Sequence, residues 1–157
     1  MSPSITSTEL DRETIAFWVE VADLIGVSRS IGEVYAVIFL ANQPLNADDI
    51  VGKLGVSRSG AGQALKQLVD IGAIRPASGV QSRKDHYEIQ TDLGVLVRLF
   101  LNSRMIPRIE ELARRRAGLA AQAQQSGVQH LITRYEKLDR WGDKTTPLLA
   151  LLKTFAS

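Results

Sequence analysis

The chain has no cysteine among its 157 residues. That absence removes disulfide staples, thiolate metal sites, iron–sulfur clusters and cysteine nucleophiles together. Histidine is almost as scarce. His86 and His130 lie far apart, and neither has metal-ligand company at useful spacing. A zinc site would have to be completed by carboxylates, so we read both as satisfied or solvated histidines and expect no metal and no cofactor. Long apolar runs are missing too: none reaches the ~18 residues of a membrane span. Leu93 to Leu101 comes nearest, and Arg98 interrupts it. The opening MSPSITSTELDRET is polar and acidic, unlike a secretory leader. These features predict a soluble cytoplasmic protein with no membrane partner. Ser59-Gly60-Ala61-Gly62 is not followed by Gly-Lys-Ser/Thr, which rejects a phosphate-binding P-loop. With no nucleophile–base pair either, the sequence does not read as an enzyme.

What is present is an ordinary globular balance, 45% apolar and 23% charged. The length fits one domain, or a small domain with an extension used for assembly. Net charge is only +2, but its distribution is uneven: residues 1–25 sum to −4 and residues 98–116 to +4. An acidic first helix and a basic late one can attract each other, within or between subunits.

Residues 1–7 are expected to fray. Thr8 to Ile25 has helical spacing with two apolar stripes: Ile15, Trp18, Val19, Ala22 and Ile25, and beside them Phe17, Val21 and Leu24. So wide a face implies burial on two sides, one of them against a partner chain. Ser30-Ile31-Gly32-Glu33 has the form of a capping box opening a second helix, which Asn42-Gln43-Pro44 breaks. Asn46 is a good cap for a short helix carrying Ala47, Ile50, Val51 and Leu54, closed by Gly55. Ser57 caps the next, whose apolar face is Ala61, Ala64, Leu65, Leu68 and Val69, with Gly72 as its stop. Two short helices joined by a glycine turn form a helix-turn-helix.

Beyond Gly72 the period changes. Ala73 to Ala77 is strand-like, residues 78–85 form a polar loop, and His86 to Thr91 alternates. Two strands around a basic loop make a wing. From Asp92 a long helical region runs to about Gln125, in which Pro107 must begin a new turn or impose a kink. Gly127 breaks it, Val128 to Leu138 starts another helix, and Thr145-Thr146-Pro147 has the form of a cap and proline opening a last one. The fold class expected is mostly α: a winged helix-turn-helix with a small β-hairpin, flanked by helices used for dimerisation. Its parts would be an N-terminal dimerisation helix (1–29), the winged domain (30–91) and a C-terminal helical dimerisation region (92–157).

In such a fold the helix after Ser57 enters the major groove by its N-terminal residues. Ser57, Arg58, Ser59 and Gln63 stand at that end, with Lys66 and Gln67 one turn on. Arg58 suits guanine or phosphate, and Gln63 suits adenine. Gly60 and Gly62 each cost up to ~1 kcal/mol of helix stability, which implies a steric reason for them. Arg83 and Lys84 at the wing tip and Arg75 at its base suit a minor groove or phosphates. The triplet Arg114-Arg115-Arg116 reads as a solvated face or a partner for the acidic first helix, not as a base reader.

The combination of Gly26–Ser28–Arg29, Leu54-Gly55-Val56-Ser57-Arg58-Ser59-Gly60, Gly72-Ala73-Ile74-Arg75 and Arg83-Lys84-Asp85-His86-Tyr87 resembles GbsR-type transcriptional regulators of the wider MarR-like group. The likeness spans roughly residues 20–112. Two positions depart from that pattern. Ala61-Gly62 stands where such helices often carry a polar residue, and Gln81 where an aspartate often precedes the wing arginine. The resemblance implies double-stranded DNA as partner. It also implies a small-molecule effector, a quaternary ammonium ion such as choline, held by aromatic rings. Trp18, Tyr35 and Phe39 are the candidate ring set. The function expected is a homodimeric, sequence-specific regulator on a pseudo-palindromic operator. The alternative is a winged helix used as a protein–protein module without a DNA target.

Overall fold

A computed structural model describes residues 7–157. The expectation of fraying over residues 1–7 lies outside the described residues, save that Ser7 opens the first helix. The elements run α1 (Ser7–Leu24), α2 (Arg29–Leu40), α3 (Ala47–Leu54), α4 (Arg58–Asp70), β1 (Ile74–Pro76), β2 (Tyr87–Ile89), α5 (Leu93–Phe100), a π-helical turn (Leu101–Met105), α6 (Ile106–Ser126) and α7 (Gln129–Ala156). The expected class is thus found: mostly α, with one small antiparallel sheet. The chain divides into two compact units, the first ending at Leu96 and the second running from Val97 to Ser157.

In the first unit, α2 is the central helix. Ile31, Val34, Tyr35, Val37 and Ile38 are buried, and with Ile50, Leu65, Leu68 and Ile74 they form the core. Helix α1 lies so close to α2 that a Cβ on Gly32 would come within 2.7 Å of the Trp18 carbonyl oxygen. Only the first apolar stripe of α1 faces this core: Ile15 and Trp18 pack against it and Ala22 is buried, whereas Phe17 and Leu24 are exposed.

Local chemistry sets the boundaries of α3 and α4. Asn46 and Asp49 form a reciprocal capping box: the Asp49 N–H donates to Asn46 Oδ1, and the Asn46 N–H donates to Asp49 Oδ2, both at 2.9 Å. Gly55 ends α3 in the left-handed conformation, φ 68°. Ser57 Oγ accepts from the Gly60 N–H at 3.0 Å. The box expected at Ser30 does not form. Helix α2 begins one residue earlier, and Glu33 is drawn instead into an ion pair with Arg29, 2.8 Å away. A side chain one helical turn on competes better for the carboxylate than a backbone N–H already inside the helix.

The strands pair Ile74 with Ile89, Arg75 with Glu88 and Pro76 with Tyr87. Tyr87 also exchanges both backbone hydrogen bonds with Leu45, at 3.0 and 2.8 Å, so the segment before α3 joins the sheet on its other side. Pro76 lacks an N–H, and Ala77 donates to the His86 carbonyl instead.

In the second unit, α6 and α7 form a hairpin about Gly127, φ 66°. The turn before Pro107 is π-helical, with the Ile106 N–H donating to the Leu101 carbonyl. The missing proline N–H and the bulk of its ring are absorbed by that wider turn. Leu101, Ile106 and Ala156 are buried among Phe100, Met105, Leu149 and Leu152. Glu110 pairs with Lys153, whose hydrogen bond and charge hold its carboxyl below the usual carboxylate range. The expected break at Thr145-Thr146-Pro147 is corrected: Pro147 lies inside one continuous α7. Tyr135, Gly142, Leu149 and Ala156 recur every seventh residue on the inward face, so a new start would put the later ones out of register. The Thr145 and Thr146 hydroxyls turn back to the Gly142 carbonyl rather than capping.

Candidate nucleic-acid interface

Helical periodicity divides α4 sharply. Ala61, Ala64, Leu65 and Leu68 are buried, so Ser59, Gly62, Gln63, Lys66 and Asp70 occupy the opposite, exposed face. Arg58 flanks that face with 78% of its side chain exposed, and Gln67 flanks it on the other side, partly buried. Ser57 is exposed but its Oγ is committed to the cap. The residues singled out on this helix therefore emerge together on one surface, with Gln67 at its margin.

The wing brings further cations to the same unit, each in a different setting. Arg75 is tied to its cross-strand neighbour Glu88 at 2.9 Å. Arg83 is exposed at the loop, with no ion-pair partner among the described residues. Lys84 Nζ reaches across to Asp48 Oδ2 on α3, at 2.5 Å. The other oxygen of the same carboxylate, Oδ1, lies 2.6 Å from Arg58 Nη2. Asp48 thus joins α3, the head of α4 and the wing through one carboxylate. The Lys84 hydrogen bond first, then the charges of Arg58 and Lys84, hold its carboxyl below the usual range.

His86 fixes the base of the wing. Its Nδ1 lies 2.9 Å from the Lys84 carbonyl oxygen and its Nε2 lies 3.4 Å from Asn46 Nδ2. Because Asn46 Oδ1 accepts the capping bond, the amide NH2 faces His86 and donates to Nε2. Nδ1 then carries the proton and donates to Lys84. His86 is a satisfied histidine with a structural partner on each side. Among the described residues no cluster of three or more His, Asp or Glu is arranged to hold a metal ion.

A groove of about 320 Å³ separates α4 (Gly62, Lys66, Asp70) from the hairpin (Pro76, Asp85, Tyr87). The two glycines of α4 differ. A Cβ on Gly60 would press on Ser57 Oγ at 3.0 Å, so Gly60 protects the cap. A Cβ on Gly62 would meet nothing within 4 Å, so nothing in the chain itself requires glycine there.

The aromatic residues do converge. The Trp18 and Tyr35 ring centroids are 4.5 Å apart, Trp18 and Phe39 5.6 Å, and Phe17 and Trp18 5.1 Å. Their edges pack on one another, and burial pushes the Tyr35 phenol pKa up. Of the arginine triplet, Arg114 pairs with Glu111 at 2.9 Å. Arg116 Nε lies 3.1 Å from Asp139 Oδ1, and its guanidinium fills the space that Gly142 leaves open on α7.

Asp48 and Asn46 were legible in the sequence only as helix-opening residues. That one would bind the wing lysine 36 positions on, and the other its histidine, depends on a tertiary approach that no local spacing signals.

These elements define a winged-helix architecture with a helical extension. A solved structure described as the crystal structure of a transcriptional regulator matches it over 92% of this chain and 93% of its own length, with a TM-score of 0.66 and 14% sequence identity. At that identity the likeness is one of fold. No family model matches the chain, and no curated protein matches it either.

Proposed function

We propose that the protein is a sequence-specific transcriptional regulator that binds double-stranded DNA as a homodimer. The observation that carries this reading is the exposed face of α4, where Arg58, Ser59, Gln63 and Lys66 project together beside a wing bearing Arg83. In a helix-turn-helix, that face addresses base edges in the major groove while the wing grips phosphates or the adjoining minor groove. The free space over Gly62 supports close approach of a DNA backbone. Ser57, Gln67, Arg75 and Lys84 complete the proposed contact set.

The homodimer reading draws on apolar side chains left in water: Leu10, Phe17 and Leu24 on α1, and Trp141, Leu148, Leu151 and Phe155 on α7, from 53% to 85% exposed. The opposite charges of residues 1–25 and 98–116 suit the same assembly. Two-fold symmetry then implies a pseudo-palindromic operator with half-sites ~34–36 Å apart. The finer reading is a GbsR-type member of the MarR-like group, cytoplasmic and without catalytic activity. In it, a quaternary ammonium effector acts at Trp18, Tyr35 and Phe39 by favouring one spacing of the two reading domains. The three rings already pack on one another, so such an effector has to part them.

One observation favours the alternative of a protein–protein module: Asp48 and Glu88 offset three of the cations. Selection of bound duplexes from a random DNA pool at ~150 mM salt, a condition that suppresses purely electrostatic binding, decides between them. A recovered palindromic motif is the expected outcome. A pool that never enriches removes the DNA reading.

A further inference from the structure

We propose that Asp48 is a specificity-determining residue, an internal counter-charge that withholds Arg58 and Lys84 from indiscriminate phosphate contact. The inference rests on the DNA-binding reading and deepens it. Both carboxylate oxygens are engaged, one by each cation, at 2.6 and 2.5 Å. The two cations remain 78% and 62% exposed, and Asp48 itself is 33% exposed between them. A carboxylate bridging a guanidinium and an ammonium stands where the oxygens of a phosphate would stand if the same two groups gripped a DNA strand.

Asp48 is well held in that place. It lies in the first turn of α3, where the helix dipole favours a negative charge. Its depressed pKa keeps it ionised throughout the neutral range. The triad therefore presents one net positive charge to a duplex instead of two. A random duplex offers this end of the reader little beyond phosphates, so the lost charge is felt in full. A matched site offers more. Arg58 has five N–H donors in a planar fork, and it can keep Asp48 on one edge while giving the other to a guanine. The carboxylate then orients the guanidinium for the base instead of merely cancelling it. Asp48 consequently penalises unselected DNA more than the operator, and it ties that discrimination to the wing through Lys84.

The test compares the full-length wild type with Asp48→Asn and with Asp48→Asn/Lys84→Met. Binding is followed by fluorescence anisotropy over a salt series, on a random duplex and on the operator recovered by selection. With a slope of about 0.9 per neutralised phosphate, Asp48→Asn is expected to steepen the salt dependence by about one unit per bound reading domain. At ~0.15 M salt that corresponds to about fivefold tighter binding of the random duplex per domain. Operator affinity rises less, so the ratio of specific to random binding falls. The double variant returns the slope to the wild-type value. Should Asp48→Asn melt early, Asp48→Ser, which retains an N-terminal helix residue, carries the same measurements. An unchanged slope in a folded variant, or weaker binding of both duplexes, overturns the role of Asp48 while leaving the DNA reading intact. A wild type that binds neither duplex overturns both, and it does so before any variant is measured.

Discussion

The unit that ends at Leu96 encloses fourteen buried apolar residues in one cluster, with α2 at its centre. The unit that begins at Val97 encloses three in its own cluster, Leu101, Ile106 and Ala156, and aligns α6 with α7 partly through Glu110–Lys153 and Arg116–Asp139. Exposed ion pairs of that kind contribute little, about 0–1 kcal/mol each. Meanwhile Trp141 is 68% exposed and Phe155 65%. The first unit has the burial expected of a domain that folds by itself, and the second has the surface expected of half an interface. A reading module needs a rigid, self-sufficient frame behind its contact helix. An assembly module gains its remaining burial only when a second copy arrives.

Four experiments break or sharpen this contrast. Leu148→Glu combined with Leu151→Glu strikes the exposed stripe of α7. Each leucine buried on assembly is worth ~1.5–3 kcal/mol and occurs twice in a symmetric interface. The dimer constant should worsen by several powers of ten, and light scattering should give half the wild-type mass. A wild type that is already monomeric at micromolar concentration breaks the contrast outright. Ile50→Ala empties a fully enclosed site (0% exposed) and should cost ~2–5 kcal/mol in denaturant unfolding. Leu151→Ala in the monomeric background should cost ~0.5 kcal/mol or less; equal losses would show that both units are closed alike.

The remaining two act on the reading surface. Arg58→Ala should cost ~1–3 kcal/mol at one operator position, whereas Arg83→Ala should weaken all sequences evenly and flatten the salt slope by about one unit. An even loss from Arg58→Ala would make it a phosphate contact. Gly62→Ala should raise stability by ~0.5–1 kcal/mol, since its Cβ enters open space. The same change should weaken operator binding. If affinity is unaltered, no backbone comes close to that turn.

What the sequence made legible follows the range of the forces involved. Asn46, Gly55, Ser57 and Gly72 are caps and stops whose partners lie within a few residues, and each serves as its type and place imply. Ser30 and Pro147 misled for a shared reason. Each carries a local signal for a helix start, and each is overruled by neighbours: Arg29 engages Glu33, and the sevenfold stripe of α7 runs on through the proline. The Asp48 bridge and the Asn46–His86 bond lay beyond reach, because both partners come from the far side of the hairpin. For α1, the two apolar stripes were visible, and the close approach at Gly32 decides which of them turns inward.

The wide turn from Leu101 to Met105 also sets the phase of everything after it on α6. One additional residue in a helical turn rotates the following side chains by about 100° relative to an unbroken helix. Deleting a single residue there would swing Arg116 off Asp139 and carry Leu112 and Leu119 to a different azimuth. The bearing of the basic helix is thus written several turns upstream, in five residues that neither read DNA nor join a core of any size.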